Sequence, residues 1–121
     1  TTPTARGEGA QFTIQALTLV DGTCPAGDFL DELDSSDRRK LDVLFERLGN
    51  TGKIHNAEKF KKIEGSESIW EFKSFQIRIF CFFASDRRVI LAFGVRKKKN
   101  KHRREDIDRA EFYREQFLAS D

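Results

Sequence analysis

The chain has 121 residues, 35% of them charged and 38% hydrophobic, enough for one modest core and too few for two. Twelve Phe beside one Tyr and one Trp carry enough aromatic surface to offset the entropy of ordering a chain, which excludes a disordered protein. The net charge is +2, no run approaches about 18 apolar residues, and the start lacks a charged-then-apolar leader pattern, so a cytoplasmic protein without a membrane partner is expected.

Residues 1–10 are expected as a flexible start and residues 11–121 as a single domain. QFTIQALTLV, residues 11–20, reads as a first strand of mixed alternation. DGTCPAGD is a turn signal, and the FLDEL that follows sets Phe29, Leu30 and Leu33 on one face of a short helix. Ser35 or Ser36 is expected to cap a second helix through about Leu48. In it Leu41, Leu44, Phe45 and Leu48 fall at i, i+3, i+4 and i+7, the buried stripe of an amphipathic helix. Gly49, Asn50 and Gly52 stop it. The resulting helical hairpin cannot bury its apolar face alone.

A loop from Thr51 to Ser68 carries His55, Lys59, Lys61 and Lys62. Three strands follow: SIWEFK, FQIRIFCFFA and RRVILAFGV. The last two are joined through Ser85 and Asp86, a short connection expected of a hairpin. In the middle strand Ile77, Ile79, Cys81 and Phe83 face one way, with Arg78, Phe80 and Phe82 facing the other. VILAFGV is apolar on both faces, as a central strand is. Arg78 is therefore a fixed charge inside an apolar strand. Glu105 and Asp106 then favour a helix N-terminus, and Ile107, Ala110, Tyr113 and Phe117 give that last helix its stripe. The order β-α-α-β-β-β-α describes an α+β domain: an antiparallel-dominated sheet against an N-terminal helical hairpin, with a C-terminal helix.

Charge is unevenly spread. Asp21 to Asn50 holds eight acidic and four basic side chains, whereas Arg96 to Arg104 holds seven basic ones plus His102 and no acid. Such crowding costs the folded state some repulsion, which a polyanion relieves. There is no CxxC pair, HExxH, P-loop or GxSxG, so neither a metal nor another cofactor is expected. Cys24 and Cys81 stand in unlike contexts, and a cytoplasmic chain would keep both as thiols.

A cation cluster of this kind suits metal-free RNA cleavage. A base takes the ribose 2′-OH proton, guanidinium groups stabilise the phosphoryl oxygens, and an acid protonates the leaving 5′-oxygen. Arg78, Lys98, His55 and His102 are the catalytic candidates, since crowded lysines lose basicity and histidine titrates near neutrality. Arg96, Lys97, Lys99, Lys101, Arg103 and Arg104 are the candidates for gripping RNA. Ordinary readings stand beside these: a solvated or partner-docking basic strip, Arg78 as an ion-pair partner of Glu71 or Asp86, His55 and His102 without a catalytic role, and Tyr113 and Trp70 as packing residues.

Ile69-Trp70-Glu71-Phe72-Lys73, Ile77-Arg78-Ile79, Phe93-Gly94-Val95-Arg96-Lys97-Lys98 and Asp106-Ile107-Asp108-Arg109-Ala110 occur in an order and spacing that resemble the RelE/HigB-like toxins, in particular their phage-related branch. The resemblance covers about residues 28–118. It implies a small RelE-like domain that acts as a ribosome-dependent mRNA endonuclease and is held inactive by a cognate antitoxin, with the ribosome and mRNA as further partners. It assigns Arg78 to the scissile phosphate and Lys97, Lys98 and Lys101 to the RNA-gripping patch. Several positions depart from the family pattern. Ser74-Phe75-Gln76 replaces a usual glycine, Ile77 replaces an aromatic, Arg96 stands where Phe or Ala is common, and the C-terminal tyrosine or histidine has no clear match. Two alternatives follow: a non-catalytic RNA- or protein-binding module of the same fold, and a sheet-based DNA-binding domain.

Overall fold

Period-two alternation over short β-branched and aromatic runs produces strands here, and the apolar stripes at helical spacing produce helices. The computed structural model describes residues 2–120, with side chains from residue 9 onward. Its elements are β1 (Thr2–Glu8), β2 (Thr13–Thr18), α1 (Pro25–Asp31), α2 (Ser35–Thr51), β3 (Phe60–Lys62), β4 (Trp70–Ser74), β5 (Ile77–Ala84), β6 (Arg88–Arg96) and α3 (Arg104–Ser120). Two strands join the expected order. The opening residues, expected as a loose start, form edge strand β1 against β2, and the lysine-bearing loop contributes β3, which pairs with β4.

The six strands lie in the order β1-β2-β6-β5-β4-β3. All neighbours are antiparallel except β2 and β6, which pair in parallel from Thr13↔Arg88 to Ala16↔Leu91. A parallel pair needs a long crossover, and the whole α1-to-β5 stretch supplies it. The α+β architecture with an antiparallel-dominated sheet is therefore as expected.

Helix α1 starts earlier than its apolar residues suggest, because Pro25 at its first turn has φ already set for helix. Asp34, rather than Ser35 or Ser36, caps α2: its carboxylate accepts the Asp37 N–H at 2.8 Å. A full negative charge there also suits the helix dipole. Gly52, at φ 80°, ends α2 and donates its N–H to the Leu48 carbonyl.

The sheet is covered on both faces. Leu41, Leu44, Phe45 and Leu48 of α2 and Leu30 of α1 pack on Ile77, Ile79, Cys81, Val89 and Leu91. Ile107, Ala110 and Phe117 of α3 pack on Phe80, Phe82, Ile90, Ala92 and Phe93. Trp70 is half-buried and stacks on Phe60, and half-buried Tyr113 meets Phe93 edge-on, so both are packing residues.

A β-bulge between β5 and β6 decides which face the chain's basic end meets. Phe80 pairs with Phe93 but Cys81 with Leu91, leaving Ala92 as the extra residue. Val89 and Leu91 face α1 and α2, whereas Phe93 and Val95 join the α3 side. Alternation past the bulge carries Lys97 to the α3 side as well. Gly94 turns to α1, where the Phe29 ring occupies the space a Cβ would need, 2.4 Å from it.

Candidate functional site

Glu71 and Arg78 are brought together by strand register. Glu71 lies opposite Phe80 and Arg78 opposite Lys73, so the two are diagonal neighbours on the α3 face. Arg78 Nε stands 3.6 Å from Glu71 Oε1, and both side chains are 2% exposed. That separation makes an ion pair without a hydrogen bond, and neither atom has another hydrogen-bond partner. Arg78 Nη1 donates to the carbonyls of Phe75 and Ile77. Burying each ion costs several kcal/mol before such partners offset it, so the pair by itself is a weak source of stability.

The third member comes from the loop between β6 and α3. His102 Nε2 lies 2.9 Å from Glu71 Oε2, and the imidazole, 3% exposed, meets the Phe80 ring edge-on. Its other nitrogen, Nδ1, lies 3.3 Å from Lys97 Nζ. An ammonium can only donate, so Nδ1 accepts and the ring proton sits on Nε2, toward Glu71. Lys97 Nζ also donates to the Lys101 carbonyl, and the Lys97 N–H donates to the Gln76 carbonyl at 2.7 Å. The loop is thus tied at both its backbone and its side chain. Burial holds the Lys97 amine below the usual lysine range, and the Arg78 and Arg103 charges add to that against the opposing pull of Asp106 and Glu71.

Beside this array lies a pocket of about 570 Å³ lined by Lys61, Asn100, Lys101, Arg104, Glu71 and His102 with their neighbours. Its size suits a small ligand or part of a larger one. The carboxylate-oriented imidazole at its wall can move a proton, and the surrounding cations can hold an anion. Cys81 offers no thiolate, because burial, with the Glu71 charge adding, pushes its pKa well up. Both cysteines are free. Among the described residues no group of three His, Cys, Asp or Glu side chains is placed to hold a metal ion. Among them too, no helix is long and apolar enough to cross a membrane.

The structure joins Arg78, Lys97, Lys101, His102 and Arg104 in one neighbourhood and separates other candidates from it. Arg96, the last residue of β6, and Lys98 and Lys99 beyond it are exposed. His55 is exposed in the loop between α2 and β3, without the contacts that hold His102. Arg103 turns to Asp106 at 3.3 Å, and Arg104 is shared among Asp108, Glu111 and the Gly65 carbonyl. Of the two ion-pair partners expected for Arg78, Glu71 is the one it meets. Glu71 was legible only as that partner. Its place between Arg78 and His102 depends on a loop 31 residues away in sequence. Nothing in the sequence singles out Lys61, Lys73 and Asn100 as site residues, yet Lys61 and Asn100 line the pocket and Lys73 Nζ bonds Asn100 Oδ1.

No curated protein matches the chain. A solved RelB–RelE antitoxin–toxin complex from Methanococcus jannaschii has a chain similar to this one at a TM-score of 0.50 and 16% identity, covering 69% of this chain and 88% of that one. Likeness at that identity shows the fold, which is RelE-like. Residues 28–114, well over half of the sequence, match the family model described as Phage derived protein Gp49-like (DUF891), and the chain belongs to that family.

Proposed function

We propose that this protein is the toxin of a toxin–antitoxin pair, of the HigB-like kind, and that it cleaves translated mRNA at the ribosome in the cytoplasm under the control of a cognate antitoxin. The observation that carries this reading is the buried trio Arg78–Glu71–His102, with half-exposed Lys97 on the imidazole, beside a basic pocket. Glu71 positions the His102 ring much as a carboxylate positions the base of a hydrolytic triad.

In the proposed reaction the 2′-oxygen of the ribose attacks the adjacent phosphorus as its proton passes to a base, and the bond from phosphorus to the 5′-oxygen breaks. An acid returns a proton to that oxygen, leaving a 2′,3′-cyclic phosphate and a 5′-hydroxyl. His102 transfers one of these protons through Nδ1, once Lys97 has turned from it toward phosphate. Arg78 neutralises charge on the phosphoryl oxygens from beneath the same loop. Lys61, Lys101 and Arg104 hold the flanking backbone.

One observation favours a second reading, a non-catalytic RNA- or protein-binding module. Both His102 nitrogens and the Arg78 guanidinium are already engaged inside the protein, as they would be if their task were to hold the basic loop in place. Induced expression in growing bacteria separates the two. Wild type is compared with His102→Gln, with primer extension on an abundant translated mRNA. Growth arrest with new ends inside the reading frame, both lost in the variant, supports the nuclease. A folded, abundant wild type that yields no new ends sinks it and leaves the binding module.

A further inference from the structure

Phe75 stands at the tip of the β4–β5 hairpin, 69% exposed, with φ at 54°. A left-handed backbone is one that a bulky residue rarely adopts and that glycine adopts freely, so the turn itself gives no reason for a phenylalanine. The core gives none either, because the ring lies outside it. Two cations do attend it: Lys40 Nζ lies 4.4 Å and Lys59 Nζ 5.6 Å from the ring centroid. The Phe75 carbonyl accepts from Arg78, and the carbonyl of the next residue, Gln76, accepts from the Lys97 N–H. An open aromatic ring thus lies beside two lysine side chains, on a hairpin turn whose backbone carbonyls hold Arg78 and the Lys97 N–H.

From this placement we infer that Phe75 is a stacking platform for one unpaired nucleobase of a single-stranded RNA, with Lys40 and Lys59 taking the phosphates on either side of it. The inference rests on the RNA reading of the site and extends it to a residue that orients the strand without touching the reacting atoms. A ring–base stack with cations along the backbone is the recurrent chemistry of single-strand binding, and it tolerates any base because each has a π-face. A protein partner fits less well. The ring's chain neighbours are Ser74 and Gln76 and the groups over it are lysines, so it is a lone apolar surface in a cationic setting.

The test compares binding of the purified protein to a short single-stranded oligoribonucleotide and to an abasic strand of equal charge. Wild type, Phe75→Gly and Phe75→Tyr are measured at two salt concentrations. Wild type should prefer the base-bearing strand by about tenfold or more. Phe75→Gly should bind both strands alike while melting no lower than wild type, and Phe75→Tyr should restore the preference. Equal binding of both strands by wild type, with ordinary salt dependence, would overturn the stacking role and leave the RNA reading standing. If folded wild type binds neither strand, both fall together. Loss of stability in Phe75→Gly, with the preference unchanged, would also overturn the inference by giving the ring a structural role.

Discussion

Lys97 Nζ lies 3.3 Å from His102 Nδ1, and its backbone N–H is bonded to the Gln76 carbonyl. One residue of the basic run therefore links the imidazole to the hairpin that carries Arg78. The run residues that follow this link differ in kind: Lys98 and Lys99 are exposed, whereas His102 is buried. That division leads to distinct expectations for each part.

Glu71 and Arg78 form a buried ion pair. Removing either charge leaves the other buried with only its hydrogen-bond partners, His102 for Glu71 and two carbonyls for Arg78, so Glu71→Leu and Arg78→Met should each destabilise the protein, by up to about 3–5 kcal/mol. The double variant should lose less than the sum of the two. Urea unfolding of the four proteins closes the cycle, and additive losses would show that the pair does not act as a unit. For the same reason Arg78→Ala alone cannot separate a catalytic role from a structural one.

The Lys97 amine, held below its ordinary value of 10.5 by burial, gives stability a pH dependence. A depressed lysine binds fewer protons folded than unfolded between its folded pKa and 10.5. Stability therefore rises with pH across that window, and the penalty is complete below it. Lys97→Met should erase this component. Urea midpoints of the two proteins between about pH 8 and pH 10.5 should show wild type gaining on the variant as pH rises. A constant difference would contradict the assigned burial cost.

Lys98 and Lys99 should act through phosphate charge alone. Replacing both by alanine should flatten the slope of log affinity against log salt for a single-stranded RNA by about 1.4, roughly 0.7 for each lost contact. Stability should stay within about 0.5 kcal/mol of wild type, as for exposed positions generally. Binding titrations at several salt concentrations, with a melt alongside, measure both. An unchanged slope would place these lysines outside the RNA path.

Ala92 is the extra residue of the β5–β6 bulge. Its deletion restores simple alternation with Phe93 still opposite Phe80 and Leu91 opposite Cys81, so Phe93, Val95 and Lys97 keep the α3 side. What is lost is one buried methyl group. The deletion protein should therefore keep a cooperative melt by calorimetry, with stability lowered by about 0.5–3 kcal/mol. Loss of the cooperative melt would mean that the bulge itself, and not the register around it, holds Phe93 in the core.

Residue pattern alone determined the helices and the three contiguous strands, because period and apolar stripe are local properties of a chain. Leu41, Leu44, Phe45 and Leu48 are buried as their spacing requires, and Ile107, Ala110 and Phe117 likewise. Arg78 was legible as a charge amid apolar neighbours, and the basic run as a cluster. Strands β1 and β3 were not legible, since the first lacks an apolar alternation and the second has three residues, two of them lysines. Nor could the sequence divide the basic run. An extra residue in β6 reverses the facing of everything after it, and that reversal turns Lys97 inward. A carboxylate in β4 then draws His102 in as well, through a contact between residues 31 apart. Sequence supplies the charges, but only the register of the folded sheet decides which of them are buried together, and burial is what sets their chemistry.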